Sequence, residues 1–249
     1  MAVKLVICSS SDISAKKAEE MGMRFLPIPV SFGSEQYLDG VDLFPDEFFE
    51  KLIETDVFPV TSQISPYVFE ECFREIISQG DTPLAITISS KLSGTYENAC
   101  VAASEVKGKA FVVDSLNACL GEAILVYHAY NLVASGLSAE DIVDRLNSDK
   151  KKIRLIALLD TLEYLNKGGR ISSAVAFAGE LLSIKPVISV IDGEVKAIGK
   201  ARGSKRGNNL LTELVDKSGG IDFEMPFSLA YSGGSDVLLK KYIEDSARL

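Results

Sequence analysis

Apolar positions along the chain fall into two alternating rhythms. Val3–Cys8 (VKLVIC) is a short apolar run closed by serines, the pattern of a strand buried on both faces. Residues 13–22 (ISAKKAEEMG) then take helical spacing and end on Gly22. Residues 24–32 read as extended and 33–40 as a turn region. Pro45 opens a short helix over 45–54, at the one turn of a helix where its missing N–H does no harm. Ser65 caps a helix that begins at Pro66 and stops at Gly80. Residues 82–89 (TPLAITIS) and 109–115 (KAFVVDS) read as strands. Between them Tyr96, Ala99, Cys100, Ala103 and Val106 form one helical stripe, and a long helix follows over 118–134. This order predicts an α/β fold, a parallel sheet with helices on both faces.

The composition shifts at SDKKKIR (148–154), which sets the expected domains at 1–152 and 153–249. The second part opens with a strand, IRLIALLD, then a helical turn, TLEYLNKGG, and a helix, SSAVAFAGELL. KPVISVI and EVKAIGKA flank Asp192-Gly193, a strong hairpin signal. A helix near 208–217, a strand PFSLAYS (226–232) and a helix SDVLLKKYIED complete a smaller α/β domain.

Charge narrows the function classes. The formal net charge is −9, with 35 acidic against 26 basic residues, which argues against a general nucleic-acid binder. No apolar run approaches the ~18 residues of a membrane span. The first apolar run is too short for a secretory signal and ends in serines and an aspartate. The four cysteines are scattered with no C-x-x-C pair, so a reducing, cytoplasmic location is expected.

Candidate chemistry sits where strands cross into helices, because ligands of open parallel sheets bind beyond the carboxyl ends of the strands. Four crossings carry hydroxyls: Ser9–Ser11, Thr61–Ser62, Ser89–Ser93 and Asp114–Ser115. Serine and threonine also favour caps and turns, so one crossing alone says little. The set, with Gly94 allowing close backbone approach, points to a binding crevice. Nucleophilic catalysis lacks a base: the single histidine, His128, lies inside the long helix as a structural residue. No G-x-S-x-G elbow, P-loop, G-x-G-x-x-G loop or spaced Cys/His metal cluster occurs. Asp39, Asp42 and Asp46 match no calcium loop and read as a solvated acidic stretch. Neutral hydroxyls with helix N-terminal amides suit a carboxylate. The segment AVAFAGELLSIKPVISVI (174–191) reads either as plain core or as the wall of an apolar cavity. An amphiphile with an acidic head and an apolar tail would use both features. Two basic stretches, KARGSKRG (200–207) and Lys167–Arg170, read as solvated loops or as an electropositive patch for a phosphate, acyl phosphate or acidic partner.

At these residues the chain resembles the DegV family of bacterial fatty-acid-binding proteins, which includes the binding subunit of fatty acid kinase. The resemblance rests on TSQIS (61–65), SSKLSGTYENA (89–99), VVDS (112–115), TLEYLNKGGRIS (161–172) and SIKPVISVIDGEVKAIGKARG (183–203), in the family's order. It implies a two-domain α/β fold with a long-chain fatty acid, such as palmitate, stearate or oleate, in a buried tunnel. It implies that Thr61 and Ser93 bind the carboxylate, with Ser62, Gly94 and Thr95 around them, and that Arg202 and Arg170 lie toward the head group or a partner. The implied role is non-catalytic, without cofactor or metal. The acid is presented to a separate ATP-dependent kinase that makes the acyl phosphate, with transient membrane-surface contact. The family's glycine-rich final segment with its histidine is absent before Leu249, so a shortened member is expected. The rival reading is a small-molecule phosphotransferase or hydrolase using the same crevice.

Overall fold

A computed structural model of the chain describes residues 2–172 and 184–247. The helix expected over SSAVAFAGELL and the amino-terminal part of the 174–191 wall lie outside the described residues. The chain divides into two compact units, Met1–Ile153 and Arg154–Leu249.

In the first unit β1 (Val3–Cys8), β2 (Arg24–Leu26), β6 (Thr82–Thr87) and β7 (Phe111–Asp114) form a parallel sheet in the order β2-β1-β6-β7. The apolar runs are continuous because both faces are covered. Leu5, Ile7, Leu84 and Ile86 pack with α5 (Cys119–Ala134) and α6 (Ala139–Asp149). The alternate residues Val6, Cys8 and Ala85 pack against α3 (Pro66–Ser78) and α4 (Thr95–Glu105), where Phe69 and Phe73 are fully buried. The helix α6 adds to the expected order; Ser138 caps it, and Ile142 and Leu146 bury its inner side. Between β1 and α3 the chain also carries α1 (Ala15–Glu20) and α2 (Pro45–Glu54).

The extended run 24–32 splits between two sheets: Arg24–Leu26 joins the parallel sheet, while Pro29–Phe32 and the Glu35–Leu38 stretch read as a turn belong to a separate antiparallel sheet. β3 (Pro29–Phe32) pairs with β4 (Glu35–Leu38) on one side and β5 (Pro59–Thr61) on the other. Gly33, at φ +59°, makes the turn between the first two. Phe48 of α2 packs on Phe32 at 5.7 Å between ring centroids, closing a small core with Val30 and Leu43. This lobe carries Thr61 at the end of β5.

The second unit holds an antiparallel sheet in the order β10-β9-β8: β8 (Ile156–Leu158), β9 (Ile184–Ile191) and β10 (Glu194–Arg202). The β9–β10 hairpin turns at Asp192 and Gly193, both at positive φ, as the dipeptide predicts. A short α7 (Glu163–Lys167) precedes it, and α8 (Gly203–Lys217) and α9 (Val237–Ser246) follow. The basic run 203–207 is the first turn of α8 and not a loop. Gly207 lets α8 close on the sheet, since a side chain there would overlap Leu158. PFSLAYS forms no strand: Phe227, Leu229 and Tyr231 are exposed and unpaired with any strand. Strand preference is expressed only against a partner edge. No helix among the described residues is long and apolar enough to cross a membrane.

Candidate ligand-binding site

Three of the four expected crossings meet: the Ser89–Ser93 loop touches both the loop after β5 and the Asp114–Ser115 crossing. The loop after β5 and the loop before α4 are tied by Asn98, whose Nδ2 donates to the Ile64 carbonyl at 2.8 Å. Ile64 itself is buried and anchors the first loop. Gln63 lies so close over Gly94 that a methyl group on Gly94 would collide with Oε1 of its side chain. Thr61, Ser62 and Gln63 are exposed on this loop, and the Ser62 amide donates to the Pro29 carbonyl at 2.9 Å.

The second loop is held from below. The Ser89 amide donates to the Asn117 carbonyl at 2.8 Å, and the Ser93 amide to the Ser89 carbonyl at 3.1 Å. Asp114 at the end of β7 accepts the Ser90 and Leu116 amides through Oδ1 at 3.2 and 2.9 Å. Ser115 and Asn117 bond each other: Ser115 Oγ donates to the Asn117 carbonyl at 3.0 Å and accepts the Asn117 amide at 3.1 Å. Ser93 Oγ sits 2.9 Å from Thr95 Oγ1 and accepts the Thr95 amide at 3.3 Å. Thr95 is buried, whereas Ser93 and Gly94 are half-buried. The next first-turn amides of α4 have no carbonyl one turn back, which favours negative charge at this end.

The remaining expected hydroxyls serve the fold. Ser9 accepts the Ile28 amide at 3.0 Å, and Ser11 donates to the Cys8 carbonyl at 2.8 Å. Ser10 donates to Glu122 Oε1 at 3.1 Å. Glu122 is fully buried, its Oε2 has no hydrogen-bond partner among the described residues, and burial pushes its carboxyl well above the ordinary range. Its signal in the sequence is a lone acid in the apolar helix CLGEAILVYHAYNLVA. Gln63, Asn98 and Asn117 are the other residues that sequence reasoning passed over. Their roles come from which loops meet, and no local pattern announces that.

His128 is not placed to activate a hydroxyl. Its Nε2 is 3.0 Å from Asp149 Oδ2 in a buried pair, and Arg145 Nε and Lys152 Nζ reach the same carboxylate at 2.6 and 2.7 Å. Burial would raise the Asp149 carboxyl; hydrogen bonds from Lys152, His128 and Arg145 outweigh it and lower the pKa to about 2. Among the described residues Ser93 Oγ bonds only Thr95, and no group of three His, Cys, Asp or Glu side chains is arranged to hold a metal ion. Arg170 and Arg202 belong to the second unit and are exposed. Arg202 ends β10 opposite Ile184, and the Arg170 guanidinium donates to the Gly168 carbonyl.

Comparison with known proteins identifies the fold and the family. A family model described as "Uncharacterised protein, DegV family" matches residues 2–241. A DegV domain-containing protein of Caldanaerobacter subterraneus is 36% identical over 222 residues, covering 89% of this chain and 79% of the relative. Among solved structures, a DegV family protein from Thermus thermophilus, described for its fatty acid binding, matches with a TM-score of 0.80 at 36% identity over 88% of this chain and 78% of that one. A stearic acid-binding protein from Eubacterium ventriosum matches with a TM-score of 0.79 at 29% identity, over 87% and 78%. A parallel sheet whose hydroxyl-bearing loops meet at Gly94, matched by a family model across almost the whole length, makes this chain a member of the DegV family.

Proposed function

We propose that the protein is a non-catalytic carrier of a long-chain fatty acid in the cytoplasm. Thr61 and Ser93 hydrogen-bond the carboxylate, with Ser62, Gly94 and Thr95 shaping the loop. The observation that carries this reading is the junction of the two loops at Gln63 and Gly94, which joins the segment that follows Thr61 to the loop that bears Ser93 at a helix N-terminus. Neutral donors and a helix dipole satisfy a carboxylate without a buried counter-ion. The likeness to fatty-acid-binding structures at 36% and 29% identity supports the choice of acid.

Affinity then comes from the tail. Burying ~14 to 16 methylenes at ~0.8 kcal/mol each contributes ~11 to 13 kcal/mol before ordering costs. The hydroxyls set orientation, so that the head group is offered to a separate ATP-dependent kinase, and Arg202 and Arg170 serve as contacts for that partner. Catalysis by this chain finds no support at Ser93, whose hydroxyl is engaged with Thr95 rather than with a base.

Native mass spectrometry of protein purified from a bacterial host is expected to show a bound fatty acid. Failure to bind added acids after delipidation overturns the carrier reading. Thr61→Val with Ser93→Ala is expected to weaken binding by about 10-fold or more while leaving the fold intact, from the loss of hydrogen bonds to a charged group. Unchanged binding in that variant overturns the head-group assignment alone.

A further inference from the structure

The chain's negative charge is not spread evenly. Residues 35–57 hold eight Asp and Glu against one lysine, −7 of the chain's formal −9. That lysine, Lys51, is already engaged: it lies 3.0 Å from Glu35 and 5.1 Å from the Tyr37 ring centroid.

On α2 the acids and apolar residues line up. Asp46, Glu50 and Glu54 recur every four residues, one position after Pro45, Phe49 and Ile53. Residues four apart stack on one side of a helix, so an acidic row runs beside an apolar row. No residue of α2 is buried. Ile53 is 84% exposed, the three acids are all exposed, and none of them has an ion pair among the described residues. The inward side is supplied by Phe48, against Phe32, so the Phe49–Ile53 row is not what holds the helix to its sheet.

We propose that this outer side of α2 docks a partner protein through a basic amphipathic helix, its aliphatic residues on Phe49 and Ile53 and its Lys or Arg on Asp46, Glu50 and Glu54. Exposed apolar rows rimmed by one sign of charge mark such contacts. The charge selects the occupant. A second copy of α2 would set acid against acid, and an anionic bilayer would be repelled in the same way. The docking face belongs to the lobe whose third strand ends in Thr61, so an occupant there sits on the element that carries the site's loop. The inference does not depend on which ligand that loop holds.

The test uses the full chain and a fluorescein-labelled 18-residue Leu/Lys amphipathic helix, read by anisotropy. Saturable binding is expected, weakened by added salt and absent when the peptide's lysines are replaced by glutamate. Ile53→Ser, at an exposed position that leaves the melting temperature unchanged, is expected to weaken it about tenfold, the worth of one aliphatic anchor. Glu50→Lys is expected to weaken it by a similar factor through charge reversal. Equal affinity for wild type, Ile53→Ser and Glu50→Lys overturns the proposal. So does Ile53-dependent binding to phosphatidylglycerol vesicles without binding to the peptide, which would make the face a membrane contact.

Discussion

Gly94→Ala separates the geometry of the site from the stability of the fold. Gly94 lies at φ −73° and ψ 7°, a conformation open to any residue, so the substitution creates no backbone strain. The new methyl group collides with Gln63 Oε1 and lies 3.1 Å from Gln63 Cδ. That obstacle is the end of an exposed side chain, free to swing away. Two small terms oppose each other in the folding free energy. Replacing glycine restricts the unfolded chain and stabilises by ~0.4 to 1 kcal/mol. Driving Gln63 off its rotamer costs ~0.5 to 1.5 kcal/mol. The net change is expected within about 1 kcal/mol of zero.

Under the proposed reading binding responds differently, because the displaced amide sits two residues from Thr61, on the loop to which that reading assigns the carboxylate contact. One hydrogen bond to a charged group is worth ~1.5 to 3 kcal/mol, so its loss weakens fatty acid binding about 10- to 150-fold. Gln63→Ala removes the obstacle. The double variant Gln63→Ala/Gly94→Ala is therefore expected to bind within about threefold of Gln63→Ala alone, a coupling of the kind shown by touching residues. Urea denaturation measures the first quantity and displacement of a fluorescent fatty acid the second. Wild-type affinity in Gly94→Ala, or a double variant no better than Gly94→Ala, refutes the contact as the link between the two loops.

Two further predictions concern buried carboxyls. Asp149, held at a pKa of about 2 against an ordinary 3.8, contributes stability that is present above 3.8 and lost as pH falls toward 2. Asp149→Asn is expected to cost about 2 kcal/mol at neutral pH, with the difference shrinking in acid; urea midpoints at neutral and acidic pH that differ by a constant amount would contradict this. Glu122 is raised, so its contribution is full below the ordinary 4.5 and lost as pH rises through its folded value. Glu122→Gln keeps an acceptor for Ser10 and has no proton to lose. Its stability relative to wild type is expected to improve as pH rises, and a pH-independent difference in melting temperature would exclude ionisation as the cause.

The main sheet was legible because its chemistry is local. Runs such as LVIC and LAIT are apolar at every position, and only a strand covered on both faces needs that; Leu5 and Ile7 against Val6 and Cys8 confirm the two faces. Of the β3–β4–β5 lobe only β3 was legible, as part of an extended run. The lobe's strands span three or four residues, too few to display a period of two, and EQYL is polar enough to read as a turn. PFSLAYS fails in the opposite direction, with strand composition but no partner edge.

The site divides along the same line. Hydroxyls at strand-to-helix crossings can be nominated from sequence, because crossings are recognised locally. Which of them meet depends on contacts between distant residues: β5 pairs with β3 through Thr61 and Val30, and Asn98 clamps the Ile64 carbonyl across 34 positions of chain. Those contacts separate Ser9 and Ser11, consumed by backbone groups, from Thr61, whose hydroxyl has no bond among the described residues. A hydroxyl whose proton is donated inside the fold, as Ser11 donates to the Cys8 carbonyl, has nothing to offer a ligand without breaking that bond, whereas Ser93 Oγ can accept from Thr95 and keep its proton. An exposed one loses only water when it meets a carboxylate. Under the proposed reading, hydroxyls that keep a proton for a ligand on these clamped loops, Thr61 outright and Ser93 when Thr95 donates to it, are therefore the guide to where the acid's head is held.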